Sequence, residues 1–247
     1  AAHQFGIVQV DPSQRVVGFQ EKPAEPAPLP DDPDHTLASM GIYAFKTKFL
    51  LDALCANAAL IEGGHDFGHH ILPAMLQRSH MVAFPFRSPD GNANPYWKDV
   101  GTLDAYFDAN QELVGANAPA YFRDEAWPIR TFTPNLAPAV MLSDSENMLS
   151  GSVHDSIICA GSKLLGADVS RSILGYKSYI SPGARLDETI LLGDVAVGRD
   201  AQLRRTIVDK HARIPDFSRI GFDQDADRAR GFTVSQCGVT VVPKDFT

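Results

Sequence analysis

The sequence predicts two architectures in series: an α/β layer, then a solenoid of short strands. Three observations predict it. Up to residue 114, strand-like runs alternate with helical spacings, the pattern of a layered α/β domain. Residues 115–138 hold four prolines and little periodicity, which suits a linker across a domain boundary. From Ile157 onward, aliphatic pairs recur every 16 or 17 residues.

Phe5–Val10 and Arg15–Gln20 read as strands. The turn-rich Asp11-Pro12-Ser13-Gln14 between them predicts a hairpin. Residues 23–36 carry five prolines and several acids, so they form a loop. Ser39–Phe45 reads as another strand. Thr47–Asn57 has helical spacing, with Phe49, Leu50, Ala53 and Leu54 on one face and Thr47 as the expected N-cap. Asp66–Gln77 is a second helical pattern, bent at Pro73. Met81–Phe86 reads as a short strand. Thr102–Val114 is the clearest helix, with Leu103, Tyr106, Phe107 and Leu113 as its apolar stripe.

The pairs Ile157-Ile158, Ile173-Leu174, Ile190-Leu191 and Ile207-Val208 define the repeat. Ser156, Ser172, Thr189 and Thr206 precede them. Within a period, aliphatics fall six residues apart, as in Leu174, Ile180, Leu186 and again in Leu191, Val197, Leu203. A helix would repeat its apolar positions about every 3.6 residues, so a helix is excluded. The step suits a solenoid with about three short strands per coil, each coil stacking on the next to continue the core. About four coils are expected. A β-sandwich with regular turns is the alternative.

Composition narrows the function. The 247 residues carry a net charge of −8, with a pI near 5.4, so a general nucleic-acid surface is not expected. An anionic substrate would need a local cluster of Lys and Arg. Cys55, Cys159 and Cys237 are scattered and show no metal or disulfide spacing. No apolar run reaches membrane-spanning length and no signal peptide opens the chain, which leaves a cytoplasmic location as the default. The first strand starts within a few residues of the beginning, as if the chain opened inside a domain. The expectation is the carboxy-terminal part of a longer protein.

The six-residue step resembles the left-handed parallel β-helix of hexapeptide-repeat proteins. Phe19-Gln20-Glu21-Lys22-Pro23 resembles the F-x-E-K-P motif of nucleotidyltransferases that make NDP-sugars. Ser39–Phe45 resembles their S-x-G-I-Y-x-F segment. Asp66-Phe67-Gly68-His69-His70-Ile71-Leu72-Pro73, Tyr96-Trp97-Lys98-Asp99-Val100-Gly101-Thr102, Trp127-Pro128-Ile129-Arg130-Thr131 and Asp225–Phe232 point to the ADP-glucose pyrophosphorylase family. The resemblance covers nearly the whole chain. It implies a partial nucleotidyltransferase sheet, Rossmann-like, over 1–115, a linker over 116–138 and a left-handed β-helix with tail over 139–247. The glycine-rich phosphate loop, the P-A-x-P-x-G-G-x-Y segment and the metal-binding Asp of that family are absent from this sequence. The resemblance therefore implies a chain without the ATP side, inactive alone.

The implied reaction joins ATP and glucose 1-phosphate into ADP-glucose and pyrophosphate, as a step of glycogen synthesis. Positioning and charge neutralisation carry such a phosphoryl-type transfer. On this resemblance Lys22 holds the sugar phosphate, as a compact ammonium can. Glu21 accepts from sugar hydroxyls, Gly6 allows close backbone approach, and Ser39 bonds a glucose hydroxyl. Asp66 and Trp97 are further sugar-site candidates. Asp99 is the catalytic carboxylate that binds Mg²⁺, an ion that takes one or two carboxylates plus substrate phosphates. Lys210, with Arg204 and Arg205, matches an allosteric position for a phosphorylated metabolite or nucleotide, and Arg213 lies near it in sequence. A homo-oligomer is implied, a tetramer in the family.

Each assignment has a plainer counterpart. Glu21-Lys22 could be a surface pair, Gly6 an edge glycine, Ser39 a strand-end serine and Asp99 a helix-start carboxylate. His65, His69 and His70 lack the intervening Glu of a zinc helix, so no metal is expected there. His154 and His211 fall in or near the coils, where a hexapeptide acyltransferase keeps its base. That activity, and a non-catalytic regulatory or scaffold subunit, are the competing readings.

Overall fold

The computed structural model describes residues 2–29, 32–60, 64–87, 96–115, 118, 119, 122, 125 and 128–247. The chain divides into two compact units, Ala1–Tyr96 and Trp97–Thr247, each described by itself below.

In the first unit, β1 (Gly6–Val10) and β2 (Val16–Glu21) form the expected antiparallel hairpin, with Gly6 opposite Glu21. Asp11 closes its turn by accepting from Ser13 N–H at 2.8 Å. On the other side of β1 lies β3 (Leu37–Ala38), so the strand order is β2-β1-β3. The expected strand over Ser39–Phe45 does not form. Ser39 N–H still donates to Gly6 C=O at 2.7 Å, but Gly41 then takes a left-handed φ of +68°. The Ser39 hydroxyl accepts from Gly41 N–H and so competes with ladder pairing. The Met81–Phe86 run also forms no strand. It makes a single bridge, Val82 to Arg15, and leaves Phe84 exposed.

Helix α1 (Thr47–Ala58) has Lys46, not Thr47, at its N-cap, and no side chain caps it. Its expected apolar face does pack: Phe49, Leu50, Ala53 and Leu54 lie against Ile71, Leu72 and Met75. The Asp66–Gln77 pattern becomes a π turn (Phe67–Ile71) running into α2 (Leu72–Leu76). Pro73 has no N–H to give back to the preceding turn, and the widened turn stands just before it.

In the second unit, α3 (Leu103–Gln111) starts at a Thr102 cap whose hydroxyl accepts from Ala105 N–H at 3.1 Å. The solenoid follows. Its strands are β4 (Val140–Leu142), β5 (Ser152–His154), β6 (Ile157–Ile158), β7 (Lys163–Leu165), β8 (Asp168–Ser170), β9 (Ile173–Leu174), β10 (Tyr179–Ile180), β11 (Arg185–Leu191), β12 (Ala196–Val197), β13 (Gln202–Val208), β14 (Arg213–Ile214) and β15 (Arg219–Ile220). After α4 (Gln224–Ala229), β16 (Thr233–Val234) and β17 (Thr240–Val242) close it.

These strands stack in parallel as three faces. One runs β14-β12-β10-β7-β4, a second joins β5, β8, β11, β13 and β15, and the third joins β6, β9, β11, β13 and β17. The aliphatic pairs stack in register, Ile157 on Ile173 on Ile190 on Ile207. The six-residue series is the core: Leu174, Ile180, Leu186, Leu191, Val197, Leu203, Val208, Ile214 and Ile220 are all buried. Each such side chain contributes about 1.5–3 kcal/mol on burial.

The hydroxyls before the pairs explain how each coil turns its corner. Arg171, Glu188 and Arg205 sit there with φ near +45°. Ser172, Thr189 and Thr206 each bridge that residue by donating to the carbonyl two positions back, at 2.6, 3.1 and 2.9 Å. The Ser172 hydroxyl also accepts from Thr189 N–H of the next coil at 2.9 Å.

The outer row of the third face is covered by α3, whose Phe107 packs with Ile190, Ile207 and Val239. So α3, read in the sequence with the first 115 residues, packs within the second unit. At the far end, the buried Asp227 carboxylate accepts from Gly221 N–H, the Thr240 hydroxyl and Arg230, pinning α4 onto the last coil.

Candidate functional site

The first unit gathers several of the expected residues at one end of its sheet. Gly6 lies between two of them: Glu21 faces it across the β1–β2 ladder, and Ser39 N–H bonds its carbonyl on the β3 side. A methyl group at Gly6 would stand 2.6 Å from Phe19 Cζ and 3.0 Å from Glu21 Oε2. A methyl at Gly68, at the π turn, would also collide with Glu21 Oε2. The Glu21 carboxylate is thus cradled by two glycine backbones, one from the hairpin and one from the π turn. Gly68 was not singled out in the sequence, because only folding brings position 68 to position 21.

Lys22 follows directly. Its backbone is left-handed, with φ of +46°, its N–H donates to Phe5 C=O at 3.1 Å, and its side chain is exposed. A non-glycine residue in that region carries local strain of roughly 1–2 kcal/mol. The strain turns Lys22 out of the strand beside Glu21. The Ser39 hydroxyl lies 2.8 Å from the Tyr43 hydroxyl, and the Tyr43 ring packs on Phe67 at 5.4 Å.

Asp66 caps the π turn. Its carboxylate accepts from His69 N–H at 2.7 Å and contacts His69 Nδ1 at 3.1 Å. The His69 amide, then its ring, holds the Asp66 carboxyl below the usual carboxylate range. Here His69 serves a cap, and His65 bonds Asn57. Among the described residues no three His, Cys, Asp or Glu side chains converge as a metal site.

Trp97 and Asp99 belong to the second unit. Trp97 is half-buried. Asp99 is exposed, and its carboxylate folds back over Gly101, where a methyl would stand 3.2 Å from Oδ2. Lys98 beside it pairs with Glu112 at 2.7 Å.

On the solenoid the basic residues part company. Arg204 lies over Phe222 at 4.7 Å. Arg205 pairs with Glu188 at 3.1 Å and covers Phe107 at 5.2 Å. Arg213 pairs with Asp194 at 3.2 Å, beside the His211–Asp194 contact at 2.8 Å. Lys210 is exposed on the turn after β13. His154 is exposed on β5.

Comparison with known proteins matches both halves. Residues 1–115 fit the "Nucleotidyl transferase" family model, and residues 137–242 fit "GlmU-like, C-terminal hexapeptide". The chain is therefore a nucleotidyltransferase segment joined to a hexapeptide-repeat β-helix.

Curated relatives narrow this further. A glucose-1-phosphate adenylyltransferase of Rhodopirellula baltica is 45% identical over 98% of this chain and 55% of the relative. One of Deinococcus deserti is 41% identical over 100% of this chain and 60% of the relative. One of Shewanella sp. (strain W3-18-1) is 39% identical over 100% of this chain and 58% of the relative. Over nearly its whole length the chain is similar to glucose-1-phosphate adenylyltransferases. It spans a little over half the length of these relatives. No helix among the described residues is long and apolar enough to cross a membrane.

Proposed function

We propose that this chain carries the glucose 1-phosphate side of a glucose-1-phosphate adenylyltransferase, which makes ADP-glucose and pyrophosphate from ATP and glucose 1-phosphate. The observation that carries the reading is the Gly6–Glu21–Lys22–Ser39 cluster in a chain similar over its whole length to enzymes of that name. The cluster offers an exposed cation, Lys22, beside a carboxylate, Glu21, held by two glycine backbones. Lys22 takes the sugar phosphate as a point charge. Glu21 accepts from sugar hydroxyls, the Ser39 hydroxyl orients another, and Gly6 leaves room for the ring. Asp66 borders the sugar.

Together these residues hold one phosphate oxygen ready to attack the α-phosphorus of ATP, and Lys22 offsets the charge on the sugar phosphate. Asp99 is a residue suited to Mg²⁺, since it is an exposed hard-oxygen ligand with no ion pair among the described residues. The ion supplies charge neutralisation at the phosphates when bound. Arg204, Arg205 and Lys210, on different surfaces of the solenoid, take an allosteric phosphorylated metabolite or nucleotide. The protein works in the cytoplasm as a homo-oligomer.

The test is a calorimetric titration of the chain with glucose 1-phosphate. Saturable binding is expected, and Lys22→Gln should weaken it by about tenfold or more, as loss of a charge-assisted phosphate contact does. Equal affinity in the two proteins would remove the reading.

A further inference from the structure

A glycine inside a helical turn calls for a reason, because its backbone freedom makes it less stabilising there than alanine. Gly68 is the second residue of the π turn, and its φ is not left-handed, so alanine could take the same backbone conformation. Its surroundings supply the reason. A methyl at Gly68 would stand 2.4 Å from Glu21 Oε2 and 2.9 Å from Glu21 Cδ, while the next atom, Asp66 Oδ1, is at an ordinary 3.5 Å. The conflict is with one side chain.

That side chain is held by shape. Among the described residues no N–H or O–H group donates to the Glu21 carboxylate and no cation pairs with it. Oε2 is the oxygen that meets both glycines, and Oε1 lies on the side away from Gly68. A carboxylate without bonded donors keeps its full capacity to accept.

The π turn itself is pinned. Asp66 accepts from His69 N–H at 2.7 Å, Ile71 N–H donates to Asp66 C=O at 3.3 Å, and Ile71 and Leu72 are buried. Phe67 packs on Tyr43 at 5.4 Å and on Phe45 at 6.0 Å. A methyl at position 68 would therefore move Glu21, the far end of a flexible side chain, and not the backbone.

We infer that Gly68 is a positioning residue of the sugar-phosphate site: its missing side chain sets where the Glu21 carboxylate stands, and so which sugar hydroxyl Oε1 accepts from. Gly68 itself touches no sugar. This role rests on the reading of Glu21 as a sugar-hydroxyl acceptor.

The test compares the unsubstituted full chain with Gly68→Ala, Glu21→Asp and the double variant, by denaturant melts and calorimetric titration with glucose 1-phosphate. Gly68→Ala should keep or raise the denaturation midpoint, because alanine suits the turn better. It should nevertheless weaken glucose 1-phosphate binding by about tenfold, as loss of a hydrogen bond to a charged group does. Aspartate is one methylene shorter and draws the carboxylate away from position 68. Adding Gly68→Ala to Glu21→Asp should then weaken binding by less than about twofold, since the two changes act on one contact. Affinity unchanged by Gly68→Ala, the same loss on the aspartate background, or a midpoint lowered on both backgrounds would overturn the inference. If the unsubstituted chain does not bind glucose 1-phosphate, the sugar-site reading falls and this role with it; if it binds and only the Gly68 outcomes fail, that reading stands.

Discussion

Gly6 shows how one missing side chain shapes a site. Its backbone is ordinary strand, so the need for glycine comes from neighbours, Phe19 and Glu21, and not from a left-handed φ. Gly6→Ala would push a methyl into both. The expected cost is about 1–3 kcal/mol of stability, from overpacking, together with a displaced Glu21. Denaturant melts and a glucose 1-phosphate titration would check it. An unchanged midpoint and affinity would show that the strand moves aside freely. The motif around Glu21 and Lys22 was legible because it is contiguous. The cradle from Gly68 and the Tyr43 partner of Ser39 were not, since they depend on where a turn lands and not on spacing. Asp66 was legible as a candidate, yet the structure also gives it the capping of a π turn.

At the scale of elements, regular repetition made the solenoid readable. Every coil buries its own aliphatics, and each stacks on an equivalent residue 16 or 17 positions away. Leu186 shows the consequence. It is buried between Val169 and Leu203, so Leu186→Ala is expected to cost about 2–5 kcal/mol. Ser172→Ala leaves Thr189 N–H and Ser170 C=O without their partner and should cost about 1–3 kcal/mol in the same denaturant experiment. A value near zero for the serine would mean that the corners do not depend on their hydroxyls. The elements that misled are short and irregular. Ser39–Phe45 and Met81–Phe86 have strand composition, but a strand needs a partner as well as a propensity. Gly41 diverts the first, and the second finds only one bridging residue in Arg15.

For the whole molecule, the division falls at Tyr96–Trp97, with α3 on the solenoid's side of it. Residues 97–247 are therefore expected to unfold in one cooperative transition, matching one of the full chain's transitions by calorimetry. Residues 112–247, which lack α3, should melt at lower temperature because Ile173, Ile190 and Ile207 lose their cover. Equal melting temperatures would place α3 elsewhere. By itself the amino-acid order determined that there are stacked coils, where each one turns and which aliphatics fill them, because those contacts repeat at a constant interval. It also determined the Glu21-Lys22 pair, because the two are adjacent. Only the tertiary structure decided which backbones enclose Glu21 and which unit takes α3, because each of these depends on competition among residues that are distant along the chain.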